Sequence, residues 1–163
     1  MKRFLSVLAA LALALALTAC TEPDAVTFYY VRDESAYQFG TTEGVIAGED
    51  REAAGHVHDL RYLMILYLHG PVSENLRSPF PSGTSLVTLE QTEDTLTIRL
   101  SSIASVMKDT DLTLACACIA RTCFEITDVQ SVTIMATGFG DARMTMTRDS
   151  LLLVDDSAAS AGE

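Results

Sequence analysis

Three cysteines crowd into eight residues, CACIARTC from Cys116 to Cys123, in a chain that has four. Thiols at such spacing can chelate a metal or pair as disulfides. The three histidines offer a second set of ligands, His56 and His58 as His-x-His and His69 further on. What either set can do depends on the element that holds it. From His56 to Leu68 apolar residues recur at helical spacing, and Gly70-Pro71 stops the run. On a helix, His56 and His58 diverge by about 200°, and His58 and His69 lie about 16 Å apart along the axis. Metal–nitrogen bonds of about 2 Å cannot span that, so no metal centre is expected. The cysteines sit on a second helix, opened by Asp109-Thr-Asp111 and running to about Thr127. Leu112, Cys116, Ile119, Cys123 and Ile126 share one stripe, which predicts Cys116 and Cys123 in the core as small hydrophobes. They are about 10.5 Å apart along the helix, beyond the ~7 Å reach of a disulfide, and Cys118 turns about 200° away. The apparent site therefore marks a core.

Other chemistry finds little to build on. There is no Gly-x-Ser-x-Gly elbow and no calcium loop of the EF-hand type. Acid pairs such as Glu49-Asp50 and Asp109-Thr-Asp111 are ordinary in so acidic a chain. Met144 and Met146 are spaced for one face of a strand and for packing. No catalytic residue, metal or cofactor is predicted.

The fourth cysteine reads differently. Lys2 and Arg3 precede an apolar run of about sixteen residues, too short for a span of about 20. The run ends in Leu17-Thr18-Ala19-Cys20, which resembles a bacterial lipobox. That resemblance implies a signal peptide over residues 1–19, lipid on Cys20, and a short tether over 20–25. The folded part is then outside the cytoplasm, held at the cell membrane by covalent lipid. Three unpaired thiols in an exported chain point to reducing or oxygen-poor surroundings. With Lys2 and Arg3 gone, nine basic residues face twenty-two acidic ones, a net charge of −13. A field of that sign disfavours nucleic acid and anionic headgroups.

Residues 26–154 are expected to form one domain, with a disordered tail over 155–163. Alternation and β-branched content predict strands at 26–32, 44–48, 85–90, 95–101, 131–136 and around Met144 to Met146. Helices are expected at 56–68 and 109–127. The order β(β)αββαβ is an α+β plan, with two helices packed on one face of a mostly antiparallel sheet.

The stretch LYLHGPVSENLRSPFPSGTSLVTL, Leu66 to Leu89, is more specific. A helix ending in Gly70-Pro71, then Leu76, then Pro81-Ser-Gly83-Thr84 opening a strand, resembles the GerMN domain of sporulation and spore-germination lipoproteins. Thr97 to Ser101, Phe124 to Val129 and Val132 to Ile134 fit the rest of that family, so the likeness covers about residues 26–138. It implies a fold similar to ring-building modules of secretion-type complexes, and a non-catalytic place in an envelope assembly. No catalytic residue comes with it. The sporulation member carries two such domains, and this chain has room for one. Independently of any family, Pro71 ends the helix, Pro79 and Pro81 hold the backbone extended, and Gly83 eases a turn.

The first helix supplies a candidate partner face. Leu60, Leu63, Met64, Tyr67 and His56 form the expected core stripe, while His58, Tyr62, Ile65, Leu66 and His69 lie opposite. A helix apolar all round is usually covered on both sides, here by the chain's own loops or by an envelope protein or a second copy. A scaffold or interaction module is the leading reading. The alternative is a small-molecule or cell-wall-binding surface lipoprotein, with no ligand indicated.

Overall fold

A computed structural model of the chain describes residues 25–33, 44–53, 55–107, 109–137 and 143–151. The leader, residues 20–24 of the expected tether, and the tail over 155–163 lie outside the described residues, while Ala25 already belongs to the first strand. The first expected strand is β1, Ala25–Arg32, whose alternating Val26, Phe28 and Tyr30 are buried. It pairs antiparallel with β2, Ile46–Glu52, from Ala25 opposite Glu52 to Val31 opposite Ile46. β2 runs four residues past the Gly48 at which the expected strand stopped. It lies at the edge of its sheet, where alternate side chains stand in water and tolerate charge. Thr27 Oγ1 donates to Asp50 at 2.6 Å across the pair. Gly48 sits against the Tyr29 ring, and a Cβ there would meet Thr27 Cγ2 at 2.9 Å.

The first helix, α1, is Leu60–Leu68 and begins later than the apolar pattern suggests. Asp59 fixes the start, because its Oδ1 accepts the Tyr62 N–H at 3.0 Å. His56 and His58 therefore precede the helix. His56 is exposed, not part of the core stripe, and stacks on Tyr62 with centroids 4.3 Å apart. Beyond α1 the chain crosses to β3, Leu76–Arg77, which pairs with β1 at Val31 and Arg32.

A second sheet has the order β4-β5-β6-β7, formed by Leu86–Gln91, Thr95–Leu100, Ser131–Ala136 and Arg143–Thr147. β4–β5 and β6–β7 are antiparallel pairs, and β5–β6 is parallel. A parallel pair needs a crossover, supplied here by a 3₁₀ turn, Ser102–Val106, and by α2, Asp109–Ile126. The α+β class and mostly antiparallel pairing are as expected, with the strands shared between two sheets rather than gathered in one.

The division has a local cause. Along most of β1, the edge away from β2 meets α2 instead of a strand. The Tyr29 N–H donates to Thr122 Oγ1 at 2.9 Å, and that hydroxyl donates to the Cys118 carbonyl at 3.0 Å. α2 thus packs on β1 and on β6 and β7, and Ala115 through Ala120 are all buried. Cys116 and Cys123 are core residues. Cys118 is turned away from Cys116 and is buried too, because that side of α2 is also covered.

Aromatic rings join α1 to the first sheet. Tyr67 stacks on Tyr30 at 5.0 Å, tilts against Phe28 at 6.0 Å and meets Phe80 edge-on at 6.4 Å. Tyr30 Oη donates to the Tyr67 carbonyl at 3.2 Å, whereas Tyr67 Oη is buried without a hydrogen-bond partner. A buried unpaired hydroxyl costs roughly 1–3 kcal/mol. Tyr67→Phe is therefore expected to keep the packing and stabilise the domain by about 1 kcal/mol in urea unfolding; a lower midpoint would show a bond to Tyr67 Oη in solution.

Candidate interaction surface

The loop after α1 is held at each end by a specific contact. Gly70 turns with φ +89°, in the left-handed region that favours glycine. Two side chains on the same face of β2 then grip the turn. The Glu49 carboxylate accepts the Val72 N–H at 3.0 and 3.1 Å and the Ser73 N–H at 2.6 Å. Arg51 donates to the Gly70 carbonyl at 2.9 Å and more weakly to that of Leu66 at 3.5 Å. Pro71 ends the helix between these grips, and Leu76 pairs with Arg32 in β3.

Further on, Phe80 is buried against Tyr67, with Ser78 Oγ bonded to both its N–H and its carbonyl. The Pro81 carbonyl accepts both the Thr84 N–H, at 3.1 Å, and the Thr84 hydroxyl, at 2.8 Å. Gly83, at φ +84°, closes that turn, and Thr84 is buried at the mouth of β4. All six motif positions thus lie in the one crossover between α1 and β4. Glu49→Ala removes a charged acceptor from two N–H groups that water can partly reach, so a loss of about 1–2 kcal/mol in denaturant unfolding is expected.

Open grooves flank the loop. One, of about 690 Å³, runs between Ile65, Leu68 and His69 of the α1 end and the Pro81–Leu86 segment. The other, of about 670 Å³, lies between Arg77–Pro81 and the start of α2, where Val106 is 69% exposed. The five residues of the candidate partner face do not form one patch. Ile65, 41% exposed, and His69 reach the first groove, with His69 Nδ1 2.7 Å from the Ile65 carbonyl. Tyr62 and Leu66 are half-buried and pack against the core. His58 stands beyond the other end of α1, in a hollow with Val57, Glu125 and Ile126.

The thiols are unsuited to nucleophilic chemistry. Burial pushes Cys116 and Cys118 up to about 12 and Cys123 higher still, and Cys123 Sγ faces Met64 Sδ at 3.7 Å. Among the described residues no three His, Cys, Asp or Glu side chains gather as a metal site. The groove beside the loop is lined by small hydroxyls and apolar edges. The grips from Glu49 and Arg51 escape sequence reading because their partners are backbone atoms. Their one signal is the i, i+2 spacing on a strand.

Two solved structures align with the chain. The tandem GerMN domains of the sporulation protein GerM from Bacillus subtilis align with a TM-score of 0.50 and 18% identity, over 75% of this chain and 43% of that one. The chain thus spans less than half the length of that tandem protein. A protein from Clostridium perfringens described as a candidate lipoprotein aligns with a TM-score of 0.49 and 18% identity, over 80% of this chain and 94% of that one. No curated protein matches the chain. Residues 27–139 match the Germane family, described as sporulation and spore germination, and the chain belongs to that family.

Proposed function

We propose that this chain is an extracytoplasmic lipoprotein, held at the cell membrane by lipid on Cys20. Its Germane domain serves as a non-catalytic interaction module of an envelope complex linked to sporulation or germination. The observation that carries the reading is the convergence of the family's motif loop with the exposed end of α1. Ile65 and His69 share one groove with Pro81, Gly83 and Thr84. A mostly apolar rim of this kind suits a protein partner or a second copy. Titratable side chains near it act in structure, as Glu49 and Arg51 do on the loop. The test is cross-linking and co-purification from the native membrane. Cys20→Ala is expected to shift the protein to the soluble fraction. Ile65→Glu is expected to stay folded and anchored while losing its cross-linked partner. Recovery of monomer alone from the wild type would sink the scaffold reading.

A further inference from the structure

α2 runs antiparallel to β1, so the domain has two poles. At one, the start of β1 lies beside Glu125 and Ile126 of α2. Glu93 and Asp128 line an adjoining hollow, and the Asp94 carbonyl accepts the N–H groups of Gln130 and Ser131. At the other, Val31 lies beside Thr110 and Asp111 at the beginning of α2, together with the Arg77–Pro81 loop. The 18 residues of α2 set these poles about 27 Å apart.

The first pole lies close to the anchor. Ala25 is five residues beyond Cys20, a reach of at most about 18 Å, and Glu22 and Asp24 stand in that interval. The exposed carboxylates of Glu93, Asp94, Glu125 and Asp128 surround the same end. Its cations are fewer. Arg148 is turned onto carbonyls, and His56 Nδ1 lies 4.0 Å from Asp59 Oδ2. Near an anionic bilayer this pole is repelled over a Debye length of about 8 Å, and the tether is long enough for it to retreat through roughly two such lengths.

We infer that the start of β1, the Gln91–Thr95 turn and the end of α2 form the bilayer-facing pole, held off anionic headgroups by its carboxylates, so that the motif loop is presented at the far end. The inference rests on the anchoring of Cys20. It adds an orientation, and it makes the lipid surface a second, repulsive partner whose strength depends on headgroup charge.

The experiment uses the lipidated full-length mature protein, with the lipid on Cys20 first verified by mass. A fluorophore is placed at Glu93→Cys or at Ser82→Cys; the native thiols, being buried, stay unlabelled. The protein is inserted into phosphatidylcholine vesicles carrying a nitroxide headgroup quencher, with and without phosphatidylglycerol at about one third of the lipid. Expected is quenching at least about twofold stronger at position 93 than at 82. Phosphatidylglycerol should weaken quenching at 93, and 0.5 M salt (about a 4 Å screening length) should restore it. Equal quenching at the two positions, or a signal at 93 indifferent to headgroup charge and salt, overturns the inference. An unlipidated Cys20, seen by mass before any vesicle is made, refutes the anchor itself, so the two failures are distinct.

Discussion

Raising the pH from 8 to 11 is expected to unfold the domain cooperatively, with its three thiols becoming reactive in the same transition. Burial lifts Cys116 from the ordinary 9.0 to about 12. It does the same for Cys118, where Arg121 and Arg77 pull the other way without offsetting it, and Cys123 is pushed higher. In the unfolded chain these protons leave near pH 9. Between about 9 and 12 the folded form therefore binds more protons than the unfolded one, and stability falls as pH rises through that window. The contribution is fully present below pH 9. At pH 11 each of the first two thiols costs on the order of 3 kcal/mol, and the pair reaches the lower end of the roughly 5–15 kcal/mol that holds an ordinary domain folded. Tyr30, raised by burial to about 12 against the opposing pull of Arg51, and Tyr67, also raised by burial, act in the same sense. Circular dichroism and Ellman's reagent, followed against pH, should report one coincident transition. Thiols that react at pH 8 while the dichroism stays native would refute the buried placement.

The cysteine helix shows where the sequence is legible and where it stops. The spacing of Leu112, Cys116, Ile119, Cys123 and Ile126 is a property of one helix, so the stripe can be read directly. Burial of Cys118 depends on β1, some ninety residues earlier, and on the Tyr29–Thr122 hydrogen bond that fixes the helix there. Helical phase carries no information about that. The start of α1 shows a competing signal. Apolar spacing reaches back to His56, but Asp59 offers the first backbone donors an acceptor and sets the start at Leu60. β2 is a third case: Glu49, Asp50, Arg51 and Glu52 lack the apolar alternation of a strand, yet pairing to β1 and an open edge make one of them. The motif loop was legible in its turn chemistry at Gly70, Pro71, Pro81 and Gly83. The acids and bases that clamp it were not, since Glu49 binds N–H groups more than twenty residues away.

Arg148→Ala is expected to lower stability by about 2–4 kcal/mol. The last carbonyls of an α-helix have no partner within it, and the last turn of α2 has no basic residue. Arg148, at the end of β7, supplies the missing donors. Its Nη2 donates to the Phe124 carbonyl at 3.2 Å and the Thr127 carbonyl at 2.9 Å, and its Nε to that of Val129 at 3.1 Å. The guanidinium also lies 4.8 Å from the Phe124 ring centroid. One side chain thereby ties the end of α2, the turn into β6 and the end of β7 together. Alanine leaves those carbonyls to whatever water can reach them, and a positive charge at a helix C-terminus is lost as well. For a domain of this size the change corresponds to a fall of roughly 10 °C in Tm. Arg148→Lys should recover less than half of it, because an ammonium cannot present the planar fork that serves three carbonyls at once. Hydrogen exchange should localise the damage, with faster exchange around the end of α2 and the start of β6 and little change in β1. A Tm for Arg148→Ala within roughly 2 °C of wild type would show that water replaces the guanidinium at no cost and that the clasp is incidental.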